Sequence, residues 1–212
     1  CGAAAPDAGD LSAGAPRTVI IGATGGIGAA LGASLEARGE AVLRLGRRTH
    51  PSLDLLNEAS IAAAAEAAGT GLTLVVDATG FLHDARYRPE KAIREIDPAH
   101  MAHSFAVNAI GPALLMKHFL PRLARDRRAV FATLSARVGS ISDNRLGGWV
   151  SYRAAKAALN QVVRTASIEL ARTHRQAVLV ALHPGTVETG LSAPFSRAGL
   201  EVQEPSAAAA RL

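Results

Sequence analysis

Short apolar runs alternate with longer amphipathic stretches over most of the chain. Each run is rich in Val, Ile, Leu or Ala and is bounded by Gly, Pro or charged residues, which is typical of buried strands. We predict strands at Thr18–Ile21, Ala41–Leu45, Leu72–Val76, Ala129–Leu134 and Val178–Leu182, and a brief one at Asp54-Leu55.

The intervening stretches carry helix signals. Asn57 is a capping residue, and Asp97 followed by proline opens a long helix that Pro112 is expected to kink. A further helix follows a Ser/Gly-rich loop at 135–148 and runs to about Thr173. Strands that alternate with helices predict an α/β fold: a doubly wound parallel sheet of the Rossmann type, with helices on both faces, in a single domain.

Residues 18–28, TVIIGATGGIG, join the first strand to a helix with apolar positions at Ile27 and Leu31. Gly22 can take backbone angles closed to other residues, while Gly26 and Gly28 let the chain pass close to a ligand. The first N–H groups of the helix lack internal partners and favour negative charge. This stretch therefore predicts a nucleotide-phosphate site, the alternative being a purely structural turn.

The other polar clusters also follow predicted strands. They are Asp77 to Gly80, Ser135, and the loop His183-Pro184-Gly185. Ligands in parallel sheets bind outside the carboxyl ends of the strands, so these clusters are expected to share one site with the glycine turn.

Two arginines stand where dinucleotide folds select their cofactor, about 20 residues past the glycine turn. An acidic residue there binds the adenosine ribose, but this chain has Arg47 and Arg48. Because guanidinium suits phosphate bidentately, we predict NADP, with NAD less favoured. The alternative is that both arginines are simply solvated in a loop.

Tyr152 and Lys156 lie four residues apart at the start of a predicted helix, so both side chains lie on one face. A neighbouring ammonium favours the phenolate and is expected to draw the tyrosine pKa from about 10 toward neutrality. Tyr152 would then serve as a general acid or base.

Composition excludes several functions. Hydrophobic residues make up 49% and charged residues 19%, and no apolar run approaches the about 20 residues of a membrane span. The net charge of +5 is dispersed and aromatic residues are only 4%, which argues against nucleic-acid binding. Cys1 is the only cysteine, which suits a cytoplasmic location. His83, His103 and His174 lack metal-ligand spacing, so no metal is expected.

With these motifs in order, residues 17 to 192 resemble the short-chain dehydrogenase/reductase family, and LSARVGSISDNRLGGWVSYRAAKAALN resembles its branch of sniffer and C-factor carbonyl reductases. The resemblance implies that Tyr152 transfers the carbonyl proton and that Lys156 binds the nicotinamide ribose. Asn108 would hold a proton-relay water, although it could also satisfy loose backbone groups beside Pro112. Thr189 would approach the nicotinamide carboxamide or the phosphates.

The catalytic candidates are accordingly Asn108, Ser135, Tyr152 and Lys156. The candidate cofactor-binding residues are Gly22, Thr24, Gly26, Ile27, Gly28, Arg47, Arg48, Asp54, Leu55, Ala78, Thr79, Gly80, Tyr152, Lys156, Pro184, Gly185, Val187 and Thr189.

Three positions depart from the family pattern. Ile21 replaces a threonine before the first glycine, and Asp77-Ala78-Thr79-Gly80 replaces Asn-Asn-Ala-Gly. The family's catalytic serine falls on Ala136, so the hydroxyl that stabilises the substrate oxygen is assigned to the adjacent Ser135, with Ser140 as the other candidate.

The leading hypothesis is an NADP-dependent oxidoreductase that acts on a small carbonyl or alcohol substrate, as a homodimer or homotetramer. An NADP-binding regulatory protein with weak or no turnover is the alternative, and an epimerase or dehydratase is a third. Residues 1–16 are expected to form a loose tail, and 17–212 the NAD(P)-binding domain, with a substrate loop near 186–205. The final SAAAARL reads as the middle of a helix, so the natural C-terminus is expected to lie further on.

Overall fold

Five short strands pair in parallel in the computed structural model, which describes residues 17–195 and 202–212. They are β1 (Thr18–Ile21), β2 (Val42–Leu45), β3 (Leu74–Asp77), β4 (Ala129–Leu134) and β5 (Ala177–Leu182). The sheet order is β2-β1-β3-β4-β5. The described helices are α1 (Gly26–Ala37), α2 (Glu58–Ala67), α3 (Pro98–Phe105), α4 (Gly111–Phe119), α5 (Val150–Leu170) and α6 (Pro205–Arg211).

Helices cover both faces of the sheet, because strand side chains alternate between the faces. Ile20 packs with Leu31 of α1 and Ala209 of α6. On the other face, Val19 and Ile21 belong to a larger core with α2, α4 and α5. The predicted Rossmann-type sheet with helices on both faces is therefore confirmed.

The chain changes direction across the sheet at β1. From β1 it moves to one side for β2 and then to the other side for β3, with parallel register throughout. In an open parallel sheet such a reversal leaves a crevice beyond the carboxyl ends of the two strands. Gly22 follows β1 and Ala78 follows β3, so the predicted nucleotide turn lies at this crevice.

The predicted strand at Asp54-Leu55 is wrong. The only pairing of this segment with the sheet edge, within the described residues, is a single parallel bridge between Gly46 and Ser52. Asp54 instead accepts a hydrogen bond from the Leu56 N–H, at 3.0 Å, and forms a turn that leads into α2. A short polar side chain that can bond its own backbone favours a turn over a strand.

The predicted caps are confirmed. Asn57 accepts a hydrogen bond from the Ser60 N–H, and Asp97 accepts one from the Ala99 N–H. Where a kink was expected at Pro112, a wide helical turn at Ala106–Ile110 joins α3 to α4. Backbone angles stay helical through both ends of that turn, so the helix continues without a break.

The predicted tail and part of the predicted substrate loop cannot be compared with the structure. The predicted loose tail, residues 1–16, lies outside the described residues, as do residues 196–201 of the predicted substrate loop. The described parts of that loop form a small parallel ladder between β6 (Thr186–Val187) and β7 (Val202–Gln203).

Substitution of a residue in the larger core, such as Phe119, is expected to destabilise the fold. Phe119 of α4 is fully buried, whereas Leu146 is 92% exposed. Phe119→Ala is expected to lower the free energy of unfolding by about 3–5 kcal/mol through lost burial and a new cavity. Leu146→Ala is the matched control and should change it by less than about 0.5 kcal/mol. Urea unfolding curves measure both, and equal midpoints would contradict the assigned core.

Candidate functional site

The glycine turn brings α1 unusually close to the end of β1. A Cβ at Gly28 would lie 2.3 Å from the carbonyl oxygen of Gly22, a distance that no side chain tolerates. Gly22 itself has a φ of +78°, and a Cβ there would lie 3.0 Å from the backbone of Ala78. Both glycines are therefore required by the backbone path, as the sequence spacing indicated.

Backbone hydrogen bonds anchor the turn. The N–H groups of Gly22 and Ala23 donate to the Leu45 carbonyl at 2.9 and 3.1 Å, and the Gly25 N–H donates to Gly22 at 3.0 Å. Ile21, which replaces the family's threonine, is fully buried in the core. The turn is thus held by the neighbouring strand rather than by a side-chain hydroxyl.

The start of α1 faces the crevice. Gly26 and Ile27 are its first residues, and Thr24 and Gly26 are exposed just before and at its first turn. The first N–H groups of a helix have no partners within the helix, which makes this end suitable for a phosphate. Thr24 also lies beside the end of β2, because a Cβ at Gly46 would be 3.7 Å from its hydroxyl oxygen.

The loop after β5 reaches back to the glycine turn. A Cβ at Gly26 would lie 2.7 Å from the Thr189 methyl carbon, so Thr189 lies directly over the turn. The Thr189 N–H donates to Ser192 Oγ at 3.1 Å, and Ser192 Oγ donates to the Val187 carbonyl. The structure thereby brings the predicted Thr189 next to the predicted phosphate site.

The same loop begins with Pro184 and Gly185. The Pro184 carbonyl accepts a hydrogen bond from Gln203 Nε2 at 3.1 Å, and Gly185 has a φ of +81°. Val187 is buried within the β6–β7 ladder. Pro184, Gly185 and Val187 therefore each help to fix the conformation of this loop.

Arg47 and Arg48 are exposed at the carboxyl end of β2. The preceding turn is fixed by Thr49 Oγ1, which contacts both the N–H and the carbonyl of Gly46. Within 17–195 and 202–212, neither arginine forms an ion pair. Both guanidinium groups are therefore available to an anion at the carboxyl end of β2.

Asp54 and Leu55 are placed differently from the other candidates. Asp54 forms the turn before α2, and Leu55 packs against Gly111, whose Cβ would lie 2.9 Å from it. No described contact joins either residue to the glycine turn. Their assignment to the cofactor site stays a prediction.

The segment after β3 is anchored by a buried carboxylate. Asp77, which is 1% exposed, accepts hydrogen bonds from the Thr79 N–H at 3.0 Å and from Thr133 Oγ1 on β4 at 2.6 Å. Ala78 donates its N–H to the Ile21 carbonyl at 2.9 Å. The departure from the family's Asn-Asn pattern therefore retains contacts that tie β1, β3 and β4 together, with Gly80 exposed beyond them.

Tyr152 and Lys156 lie on the buried face of α5, as predicted. Lys156 Nζ lies 5.9 Å from the centroid of the Tyr152 ring and donates to the Leu134 carbonyl at 2.8 Å. This hydrogen bond fixes the ammonium at the carboxyl end of β4. The pair therefore belongs to the same edge of the sheet as Asp77.

The electrostatics of the pair differ from the expectation. Burial raises the pKa of Tyr152 to about 12, whereas Lys156 was expected to lower it. Burial also lowers the pKa of Lys156 to about 8, with the charge of Asp77 acting in the opposite direction. Desolvation penalises both charged forms, and the Lys156 ammonium is directed to the Leu134 carbonyl rather than to the phenol.

Asn108 lies in the wide turn between α3 and α4 and is fully buried. Its Oδ1 accepts from the Phe81 N–H at 3.0 Å, and its Nδ2 donates to the Phe81 carbonyl at 2.8 Å. The Asn108 amide thus forms a reciprocal pair of hydrogen bonds with the backbone of Phe81, as a residue of a neighbouring strand would. Pro112, four residues later, has no N–H to offer the Asn108 carbonyl.

Neither candidate serine contacts Tyr152 among the described hydrogen bonds. Ser135 Oγ donates to Asn160 Oδ1 at 2.7 Å, and Asn160 lies about 12 Å along α5 from Tyr152. Ser140 Oγ accepts from the Asp143 N–H at 3.3 Å in an exposed loop. Ala136 has extended backbone angles, so its side chain points to the face opposite that of Ser135.

An aromatic wall, which sequence reasoning missed, stands beside Tyr152. We define it as Trp149, Phe195 and His83. The Trp149 ring lies edge-on to Tyr152 at 6.3 Å and to Phe195 at 5.3 Å, and His83 lies 5.2 Å from Phe195. His83 Nε2 also lies 3.1 Å from the Gly190 carbonyl, so this histidine is not a simple surface residue. The available signal was a lone tryptophan three residues before Tyr152.

The described residues contain neither a candidate membrane span nor a candidate metal site. No described helix is both long and apolar enough to cross a bilayer. No group of three His, Cys, Asp or Glu side chains in the described part could hold a metal ion.

Comparisons with known sequences agree with this geometry. The profile of a family described as enoyl-(acyl carrier protein) reductase matches residues 22–211. The C-signal of Myxococcus xanthus is 39% identical over 103 residues, which cover 49% of this chain and only 61% of that protein. A 1-hydroxy-2-glutathionyl-2-methyl-3-butene dehydrogenase of Rhodococcus sp. strain AD45 is 29% identical over 189 residues, which cover 84% of this chain and 80% of that protein.

Solved structures show the same fold. NADPH-bound carbonyl reductase from chicken fatty liver matches with a TM-score of 0.77 and 27% identity, over 92% of this chain and 89% of that one. Carbonyl reductase Sniffer of D. melanogaster matches with a TM-score of 0.76 and 20% identity over the same shares, a likeness of fold. With a family profile that spans most of its length, the chain belongs to the short-chain dehydrogenase/reductase family of oxidoreductases, as its motifs predicted.

Proposed function

We propose that the protein is an NADP-dependent carbonyl reductase in which Tyr152 gives a proton to the substrate oxygen. The observation that carries the proposal is the placement of Tyr152 and Lys156 at the end of β4, two strands from the glycine turn after β1. The chemistry needs a proton donor and a dinucleotide site at one edge of the sheet.

The residues present fit a dinucleotide. The close approach of Gly28 to Gly22 creates a cradle that any Cβ would fill, and the exposed start of α1 suits a pyrophosphate. When bound, NADPH supplies the hydride that the carbonyl carbon receives. Arg47 and Arg48 would hold its 2′-phosphate, which is supported by their lack of acidic partners among the described residues and by the NADPH bound to the chicken enzyme.

The raised pKa of Tyr152 favours the direction of reduction. With a pKa of about 12, the phenol keeps its proton near pH 7 and can donate it to an oxygen on which negative charge develops. Alcohol oxidation would instead need the phenolate, which burial disfavours. Near neutral pH, Tyr152 therefore acts as the acid of a reductase.

Asn108 and Lys156 support this proton donor. The main-chain carbonyl of Asn108 receives no N–H from Pro112 and would accept a hydrogen from the relay water that returns a proton to Tyr152. The Lys156 ammonium has three donors, and the Leu134 carbonyl is its one hydrogen-bond partner among the described residues, so the other two donors would bind the nicotinamide ribose.

The aromatic wall points to the substrate. Trp149 and Phe195 present apolar ring surface next to Tyr152, which suits an aldehyde or ketone with an apolar group beside its carbonyl. Assembly as a homodimer or homotetramer fits the exposed apolar residues Ile93, Ile141 and Leu146 on the loops beside α5.

A second candidate function is an NADP-binding regulatory protein with weak turnover. It is favoured by Ala136 and by the bond of Ser135 Oγ to Asn160, because both withhold a hydroxyl from the substrate oxygen. Ser135 can bind the substrate oxygen only if its hydroxyl gives up the hydrogen bond to Asn160. Tight NADPH binding by calorimetry, with no turnover on a panel of aldehydes and ketones, would establish this second function.

The first prediction about activity concerns the phenol of Tyr152. Tyr152→Phe removes the proton donor and is expected to lower kcat for carbonyl reduction by about 10²- to 10⁴-fold, with NADPH affinity retained. Tyr87→Phe is the matched control, because Tyr87 is the only other tyrosine, none of the described hydrogen bonds uses its hydroxyl, and phenylalanine keeps the ring that stacks on His100. NADPH oxidation assays measure both, and a Tyr152→Phe enzyme as active as the parent would refute the mechanism.

The second prediction concerns cofactor choice. Arg47→Ala and Arg48→Ala are each expected to raise the Kd for NADPH by about 10-fold or more through loss of a charged hydrogen bond, and to leave that for NADH unchanged. Arg145→Ala, in an exposed loop, is the control. Titration of both cofactors gives the ratio of the two Kd values. An unchanged ratio in both arginine variants would show that other residues select the cofactor.

The third prediction concerns pH. Lys156 loses its charge as the pH rises through about 8, and with it its attraction for the cofactor. The KM for NADPH in reduction is therefore expected to rise above that pH, while Tyr152 stays protonated. Initial rates between about pH 6 and pH 10 test this behaviour, and a KM that is flat across the range would mean that Lys156 does not hold the cofactor.

A further inference from the structure

The helix that carries Tyr152 begins without a local cap. Trp149 occupies the cap position of α5 in a left-handed conformation, with a φ of 52°, and its side chain makes no capping bond. An indole can only donate a hydrogen bond, so it has nothing to offer the free N–H groups of a helix start. The acceptors must come from elsewhere in the chain.

Glu90 supplies them from a loop 61 residues earlier in the chain than Ser151. Its backbone carbonyl accepts the Trp149 N–H at 2.5 Å. Its carboxylate accepts the Ser151 N–H at 3.2 Å through Oε2, and the Ser151 hydroxyl through Oε1. Glu90 thus accepts three hydrogen bonds, one from Trp149 and two from Ser151. These two residues lie on either side of Val150, the first residue of α5.

The carboxylate is deeply buried and is compensated. Glu90 is 2% exposed, and the positive end of the α5 dipole faces its carboxylate. His100 Nδ1 of α3 lies 3.4 Å from Oε1, and the His100 ring stacks on Tyr87 at 5.0 Å. Glu90 therefore connects the start of α5 to a rigid part of the fold rather than to solvent.

Tyr152 is the third residue of α5 and follows Ser151 directly. Because the first helical turn is a rigid unit, fixing Trp149 and Ser151 also fixes the direction of the Tyr152 phenol. The same bonds hold the Trp149 ring against Phe195 and Tyr152. A displacement of about 1 Å at a reacting group costs about 10²-fold in rate.

We propose that Glu90 is a positioning residue for the reaction: by capping α5 across the loop, it sets the placement of Tyr152 and of the Trp149 side of the aromatic wall. This inference rests on the proposed function of Tyr152. Glu90 itself touches neither Tyr152 nor the reacting atoms in the described contacts, so it acts through the backbone of Trp149 and Ser151.

The test combines three variants and two independent readouts. Glu90→Gln keeps the side-chain length and removes the charge, and Ser151→Ala removes one of the carboxylate's two donors on α5. Glu169→Gln is the matched control, since it makes the same chemical change on the exposed far end of the same helix. The first readout is the emission and iodide quenching of Trp149, the only tryptophan of the chain. The second is kcat together with the KM for NADPH.

We expect Glu90→Gln to lower kcat by about 10- to 100-fold, with the KM for NADPH changed by less than about 2-fold, and to make Trp149 more accessible to iodide. Ser151→Ala should show the same changes at a smaller size, and Glu169→Gln should match the parent. A merely structural role would lower the unfolding midpoint but leave the kcat and Trp149 quenching of the folded protein unchanged.

A folded Glu90→Gln protein with parental kcat and parental quenching would overturn the proposal. If Glu90→Gln fails to fold, Ser151→Ala decides the question by the same criteria. If the parent reduces no carbonyl, the proposed function fails, and the quenching of Trp149 alone then decides whether Glu90 positions this segment.

Discussion

The close approach of α1 to β1 is the constraint on which the site depends. The carbonyl of Gly22 lies where any side chain at Gly28 would begin, so the helix starts within contact of the strand end. Parallel pairing of β1 with β3, and of β3 with β4, then places the segment after Asp77 and the Leu134 carbonyl at the same edge. A wider turn would move the start of α1 away from Tyr152.

Burial sets the chemistry of that edge. Asp77, Lys156 and Glu90 are charged side chains with almost no exposure. Asp77 accepts a hydrogen bond from β4, Lys156 donates one to the end of β4, and Glu90 accepts from the start of α5. An uncompensated buried charge would cost several kcal/mol, so these contacts hold the β3 and β4 ends and α5 in a fixed relation. The same desolvation keeps the proton on Tyr152 and loosens the one on Lys156.

Much of this could be read from the sequence where the signals are local. The glycine spacing, the caps at Asn57 and Asp97, and the shared face of Tyr152 and Lys156 each depend on residues within a few positions of one another. The ends of the five strands of the sheet lie within two residues of the prediction for the same reason.

Other features depend on distant parts of the chain and could not be read in this way. The pKa of Tyr152 is set by how deeply the folded protein buries it, which the i to i+4 spacing does not reveal. Ser135 bonds an asparagine 25 residues away, and Ser151 bonds Glu90, which lies 61 residues earlier in the chain. The wrong strand at Asp54-Leu55 has a local cause instead, because the Asp54 carboxylate accepts the backbone N–H two residues on and thereby favours a turn.

The wide turn at Ala106–Ile110 is also the place where the helix takes up an extra residue. A turn closed by i to i+5 hydrogen bonds contains one residue more than a regular α-helical turn, so the helix that follows keeps the same face toward the sheet. Deletion of a single residue there would restore a regular turn and leave Leu115 and Phe119 in the core, but it would change the direction of the Asn108 side chain, which holds Phe81. The length of this segment is therefore constrained by Asn108 rather than by the packing of α4.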